Sequence, residues 1–227
     1  MSLAEKFATR YAGLRKAYGT FTASDETRED GKANGKNITI SKELSDKDIL
    51  KLWDDHLSGR QSVGIVAIDE NNSCVWGAID VDEYQLDLKD LAKKLAKQNL
   101  PLVLCRSKSG GAHIYIFIEE PVSASVLQRK LRQLAASIGY GQAEIFPKQT
   151  KLLLERGDRG STLNMPYFGG ENSTRYAYGK EGEALSPEEF LNYAKEITLT
   201  AKELEKLEAS PINESIEWLD QAPPCIQ

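Results

Sequence analysis

Hydrophobic positions in this chain recur with two periods, and the switch between them sets out the predicted elements. Leu3, Phe7, Tyr11, Leu14 and Tyr18 recur every three to four residues, which predicts an amphipathic helix over 3–18. From Gly19 to Lys42 the pattern lapses into Gly, Lys, Asp and Thr, with Gly31-Lys32 and Gly35-Lys36, and reads as a loop or flexible arm. Its lysines suit a phosphate backbone, but Asp25, Glu26, Glu29 and Asp30 precede them and fit a solvated loop better. Ser45 opens a second helix. It is an N-cap residue, Asp48 stands three residues on as a capping-box partner, and Ile49, Leu50, Trp53 and Leu57 follow.

Period two then takes over. Residues 62–68 and 74–81 read as strands joined by the turn Asp69-Glu70-Asn71-Asn72, a predicted hairpin. A helix over 86–98 carries Leu88, Leu91 and Leu95 on one face. Strands at 102–105 and 112–118, a helix over 123–138 and a strand at 143–146, ended by Pro147, complete the series. From residue 74 the order is β-α-β-β-α-β, a split-βαβ unit in which the first strand lies between the third and the fourth. The predicted fold class is therefore α+β: an RRM-like split-βαβ core with an N-terminal α/β extension and C-terminal helices. Beyond the core, 161–168 and 175–178 flank Gly169-Gly170-Glu171-Asn172-Ser173 and predict a second hairpin. Helices follow at 187–195, with Ser186 as N-cap and Pro187 at N1, at 200–209 and at 212–219. The domain reading is 1–60 as an extension packed on the core, 61–180 as the core, and 181–227 as acidic helices and the start of a linker.

Composition changes this picture little. With 41% hydrophobic residues in 227, the chain can bury a proper core, and it has neither an apolar run of membrane-spanning length nor a signal peptide. Cys74, Cys105 and Cys225 are odd in number and far apart, which argues against a disulfide framework and a zinc ribbon and fits thiols in a reducing cytoplasm. Charge is more telling. The net value of −5 does not advertise a nucleic-acid binder, yet residues 1–100 carry −2, 101–180 carry +5 and 181–227 carry −8. Local charge attracts a polyanion, and here it follows directly after a pair of acids.

That pair is Ile79-Asp80-Val81-Asp82, at the end of an apolar strand. Residues two apart on a strand share a face, so the two carboxylates stand side by side and repel unless a cation neutralises them. Mg²⁺ or Mn²⁺ is the usual neutraliser for oxygen ligands. A surface strand with two solvated acids has the same pattern. The predicted strand order adds His113 and Glu144 on the neighbouring strands, so three acids and an imidazole converge on one face. Between two of these strands runs Arg106-Ser107-Lys108-Ser109-Gly110-Gly111-Ala112-His113, whose hydroxyls, backbone N–H groups, Arg106 and Lys108 can donate to phosphate oxygens. A hairpin loop has the same composition. A metal nuclease of the replication-initiator type would want a His-x-His pair, and Gly111 stands where the first histidine would be. A single-strand binder remains open, because Tyr115 and Phe117 share the face of His113 by alternation.

These residues resemble the archaeo-eukaryotic primases, the primase-polymerase superfamily. The resemblance lies in three motifs: Ile79-Asp80-Val81-Asp82, Ser109-Gly110-Gly111-Ala112-His113, and a third acid at Glu144 in Glu144-Ile145-Phe146-Pro147-Lys148-Gln149. Glu144 stands where many relatives carry aspartate. His56-Leu57-Ser58-Gly59 before Val63-Gly64-Ile65, the Phe-Pro-Lys-Gln sequence, and Leu163-Asn164-Met165-Pro166-Tyr167 are similar to a phage and mobile-element branch that includes TOTE conflict systems. The resemblance covers roughly residues 45–180.

It implies a nucleotidyltransferase that copies a single-stranded or primed DNA template from dNTP or NTP with Mg²⁺ or Mn²⁺, in the cytoplasm of a bacterial host. Asp80 and Asp82 would hold both metals, with Glu144 completing the site that activates a primer 3′-hydroxyl. His113, Ser107 and Ser109 would contact the triphosphate, together with the loop residues Lys108, Gly110 and Gly111. Arg106, Lys148 and Asn164 would reach phosphate or sugar; for Arg175 a phosphate contact and a solvated position are equally consistent. The ending Ala222-Pro223-Pro224-Cys225 reads as the start of a linker toward helicase and zinc-binding modules.

Overall fold

The computed structural model describes residues 1–27, 33–83 and 85–208, with the backbone alone for 22–27 and 33–37. Its helices are α1 (Leu3–Arg10), α2 (Asp46–Leu57), α3 (Leu88–Lys97), α4 (Ala124–Ser137), α5 (Pro187–Glu196) and α6 (Ala201–Lys206). Its strands are β1 (Ala17–Thr27), β2 (Ala33–Ser41), β3 (Val63–Val66), β4 (Ser73–Val81), β5 (Val103–Arg106), β6 (Ala112–Ser123), β7 (Glu144–Phe146) and β8 (Thr162–Asn164). Two four-stranded antiparallel sheets result, one in the order β2-β1-β3-β8 and the other β5-β6-β4-β7. The predicted helix at 212–219, Glu29 to Lys32 and Cys225 lie outside the described residues. Among those described, no helix is long and apolar enough to cross a membrane.

The second sheet is buried on both faces. Ile79, Ile114, Ile116 and Ile145 meet Leu91 and Leu95 of α3 and Leu127, Leu131 and Leu134 of α4. α4 comes in closely because Gly77 has no side chain: a Cβ there would lie 2.6 Å from Leu131 Cδ1. On the opposite face Trp76, Ala78, Tyr115, Phe117 and Phe146 join Phe7, Trp53, Val63, Leu163 and Phe190 in a second, aromatic core. Tyr11 sits at its centre, with ring centroids 5.3 Å from both Trp76 and Tyr115. Each such ring contributes roughly 1.5–3 kcal/mol by leaving water.

Four sequence expectations are corrected. The first helix ends at Arg10 and does not run to Tyr18. A Cβ on Gly13 would lie 2.1 Å from the Val66 carbonyl oxygen, and Leu14 N–H donates to that same oxygen at 3.0 Å. The chain therefore leaves the helix to run along β3, and Tyr11 and Leu14 owe their burial to packing rather than to helical phase. The arm at 19–42 is largely strand: β1 pairs with β2 from Ala17↔Ser41 to Thr27↔Ala33, and only Gly19 and Thr20 reach β3. A ribbon that pairs with itself satisfies its backbone without an apolar face, so its sequence shows no alternation.

The predicted hairpin of 62–81 has its turn but not its ladder. Asp69 Oδ1 accepts from Asn71 and Ser73 N–H at 2.9 and 2.8 Å, and the strands then diverge into different sheets. β3 is claimed by β1 and β8, and β4 by β6 and β7. The hairpin of 161–178 is also replaced. β8 pairs with β3, while Ala177 bridges Cys105 at the end of β5. Both segments bury apolar residues by joining existing strands, which pairing with each other would not do. The Ser45–Asp48 capping box is present as predicted.

Candidate active site

The ladders of β4 set the site. Asp80 stands directly opposite His113 on β6 and directly opposite Glu144 on β7. Directly opposed residues share a face, so Glu144, Asp80 and His113 form one row across three strands. The same face carries Trp76, Ala78, Tyr115, Phe117 and Phe146 further along, so the row is the rim of the aromatic core. Asp82 follows just past the end of β4.

His113 Nε2 is 3.3 Å from Asp80 Oδ1, within ion-pair reach but not aligned as a hydrogen bond, and that oxygen is buried with no hydrogen-bond donor. His113 Nδ1 is 3.2 Å from the Tyr115 hydroxyl. Glu144 is paired with Lys148 at 2.5 Å. Asp82 accepts from the Ser109 hydroxyl, yet its carboxyl is pushed up from the ordinary range by burial and then by the charges of Asp80 and Glu144. Three carboxylates thus crowd a place short of positive charge. Among the described residues no three His, Cys, Asp or Glu side chains are grouped as a ready metal cage, with Glu144 turned to Lys148 and Asp80 beside His113. The donor set itself, all oxygen with one orphaned carboxylate atom, suits a hard divalent cation. A cavity of about 340 Å³ opens beside the acids, walled by Asp80, Asp82, Glu144 and the turn at 139–142.

The 107–111 loop lies against the end of β4. Ser107 N–H donates to Gly111 O at 2.8 Å and Gly110 N–H to Ser107 O at 3.2 Å, with Gly110 at φ +98°. Ser107 and Ser109 hydroxyls are 3.2 Å apart. A Cβ on Gly111 would fall 2.1 Å from the Val81 carbonyl oxygen, so only glycine lets the loop sit this close to the acids. Lys108 lies over the Phe21 ring of β1. Burial and the nearby Arg175 charge lower its ammonium to about 8. Arg106 is anchored through its backbone N–H to Tyr176 O at 3.0 Å and through its guanidinium to Thr174 O at 3.4 Å.

Arg175 proves better placed than its sequence context suggested. It is largely buried, stacks over Phe168 at 5.1 Å, and keeps Nη1 buried without a partner. No periodicity marks it; the only signal is its place before the alternating Tyr176-Ala177-Tyr178. Tyr115 was legible only as a same-face neighbour of His113. Asn164 lies in the other sheet, opposite Gly64 on β3, and the structure gives it no hydrogen bond to the acids. His56 is structural: Val63 N–H donates to its Nδ1 at 3.0 Å, and its Nε2 meets Pro166 O at 2.8 Å. Tyr115 and Phe117 are fully buried, so neither can stack a nucleobase.

Residues 4–198 match the family model described as the Archaeo-Eukaryotic Primase domain of the TOTE conflict system. The chain belongs to this family. These are primase-polymerase domains, which makes the chain one of a nucleotidyltransferase class. The primase-domain match takes in α1, the β1–β2 ribbon and α5, well beyond the stretch that carried the resemblance. No curated protein matches the chain. Among solved structures, the AEP domain of the Cyanophage S-2L primase-polymerase (PrimPol) aligns with this primase domain over 85% of the present chain and 96% of its own, at 13% identity and a TM-score of 0.38.

Proposed function

We propose that this chain is the catalytic domain of a template-dependent primase-polymerase that adds nucleotides to a 3′-hydroxyl on DNA, with residues 61–180 as its RRM-like split-βαβ core between flanking segments 1–60 and 181–227. The observation that carries the reading is the Glu144–Asp80–His113 row with Asp82 at its end, set against a loop of phosphate donors. Asp80, Asp82 and Glu144 would hold Mg²⁺ or Mn²⁺. When bound, the metal supplies charge neutralisation for the attacking and leaving oxygens of an in-line displacement.

The protein's own part is positioning and electrostatics. Ser107, Ser109, Lys108 and the glycine backbone would bind the triphosphate from the β6 side of Asp80. Arg175, with its unpartnered Nη1, is suited to a phosphate oxygen in the same region. Arg106 and Lys148 would give longer-range positive charge, and Lys148 would also steady Glu144. Asn164 is kept as a contact to sugar or phosphate.

Two other readings are disfavoured. The base-stacking binder loses its platform to the aromatic core. The nuclease lacks its first histidine at Gly111.

The test is extension of a labelled primer on a DNA template with Mg²⁺ or Mn²⁺, separately with dNTP and NTP, beside Asp80→Ala. Metal-dependent extension by the wild type and none by the variant is the expected result. Extension that survives Asp80→Ala would overturn the assignment.

A further inference from the structure

Two atoms of His113 face opposite environments. Nε2 points to Asp80 Oδ1 at 3.3 Å, and Nδ1 points into the protein at the Tyr115 hydroxyl, 3.2 Å away. Asp80, ionised, can only accept. A bare Nε2 lone pair aimed at that carboxylate would be repelled, so the neutral ring must carry its proton on Nε2. Nδ1 is then an acceptor and needs a donor. Tyr115 provides it, being 0% exposed with its ring held between Tyr11 at 5.3 Å and Phe117 at 6.1 Å. No other hydrogen bond reaches Nδ1 in the structure. The phenol also adapts: if the ring becomes imidazolium, the same oxygen accepts from Nδ1–H.

We propose that Tyr115 is a positioning residue that holds His113 in the tautomer with Nε2–H directed at the Asp80 side of the site. The inference rests on the proposed function for its catalytic meaning, since that N–H is the group His113 offers to a triphosphate oxygen. Its structural content stands without that reading. The aromatic core thereby sets the hydrogen-bonding identity of a site residue: Tyr11 fixes the Tyr115 ring, and Tyr115 fixes the imidazole.

The experiment uses the full chain with ¹⁵N-labelled histidine. His56 and His113 are the only two imidazoles in the sequence, and a His113→Gln sample assigns them. In the wild type above pH 7.5, His113 is expected to show a proton-bearing Nε2 and an unprotonated Nδ1. In Tyr115→Phe the two nitrogens should move toward a tautomer mixture, while His56 signals and the aromatic-core shifts stay in place. A proton on Nδ1 in the wild type, or an unchanged single tautomer in Tyr115→Phe, overturns the proposal. The kinetic companion is a nucleotide KM raised roughly tenfold in Tyr115→Phe with kcat changed far less, the size typical of a lost orienting contact. A fall in kcat with KM unchanged would assign Tyr115 to packing alone. If the wild type extends no primer, the proposed function fails, and the imidazole spectra still decide the tautomer.

Discussion

Glu144 faces Asp80 across the β7–β4 ladder, and its carboxylate is held by Lys148 at 2.5 Å. Without that lysine three acids would stand together with only His113 beside them. Like charges this close destabilise the fold until a cation arrives, so stability and metal binding are linked. Mg²⁺ or Mn²⁺ at a hundredfold excess over Kd should raise the wild-type Tm by roughly 5 °C. Asp82→Asn should melt slightly higher than wild type in chelator, lose the metal response, and lose primer extension. Thermal melts with and without metal check this, and an equal metal response in Asp82→Asn would count against these acids as the ligands.

Gly111 is the closest approach between the donor loop and the acid strand. Gly111→Ala must push the loop off Val81 and withdraw Ser109 from Asp82. Overpacking of this kind costs about 1–3 kcal/mol. The expected outcome is a modest fall in Tm with a nucleotide KM raised by about an order of magnitude, measured by steady-state extension.

Lys108 gives the site a pH signature. Its ammonium, lowered to about 8, loses its proton as pH rises from 7 to 9, where an ordinary lysine would keep it. Nucleotide KM should therefore rise through that range in the wild type. Lys108→Arg should flatten the rise, because guanidinium stays charged, and Lys108→Ala should be weak at every pH. A flat wild-type profile would remove Lys108 from the triphosphate site.

His56 makes a separate prediction about stability. Burial lowers its pKa to about 4, against 6.5 for the free side chain, so the unfolded chain binds the proton first. The neutral ring's contribution is complete above about pH 6.5 and is lost as pH falls toward 4, up to about 3 kcal/mol. Denaturant midpoints between pH 7.5 and 4.5 measure it. His56→Ala should lose about 2–4 kcal/mol at neutral pH by orphaning Val63 N–H and Pro166 O, and should titrate less.

The row at the centre of the site was legible because β-α-β-β-α-β order fixes which strands are neighbours. Once β4 lies between β6 and β7, Asp80, His113 and Glu144 need only compatible register. The capping box at Ser45 and the close spacing of the 107–111 glycines are likewise local and readable. The first sheet was not legible. Its β1–β2 ribbon is stabilised by backbone pairing rather than a buried face, and β3 and β8 are too short to show a period. Without that sheet, alternation could place Tyr115 on the face of His113 but not reveal that Trp53, Tyr11 and Phe190 cover it. Arg175 depends on the bridge between Ala177 and Cys105, a long-range contact with no local trace.

The burial of both faces of the second sheet has one more consequence. A nucleic-acid strand cannot drape over its β-strands; it can only cross their ends, where Asp80 and Asp82 emerge. On the proposed reading the template meets the protein along a rim, with few bases engaged at once. Such an edge-on grip is brief and shifts readily by one position, which suits an enzyme that must step along its template after every addition.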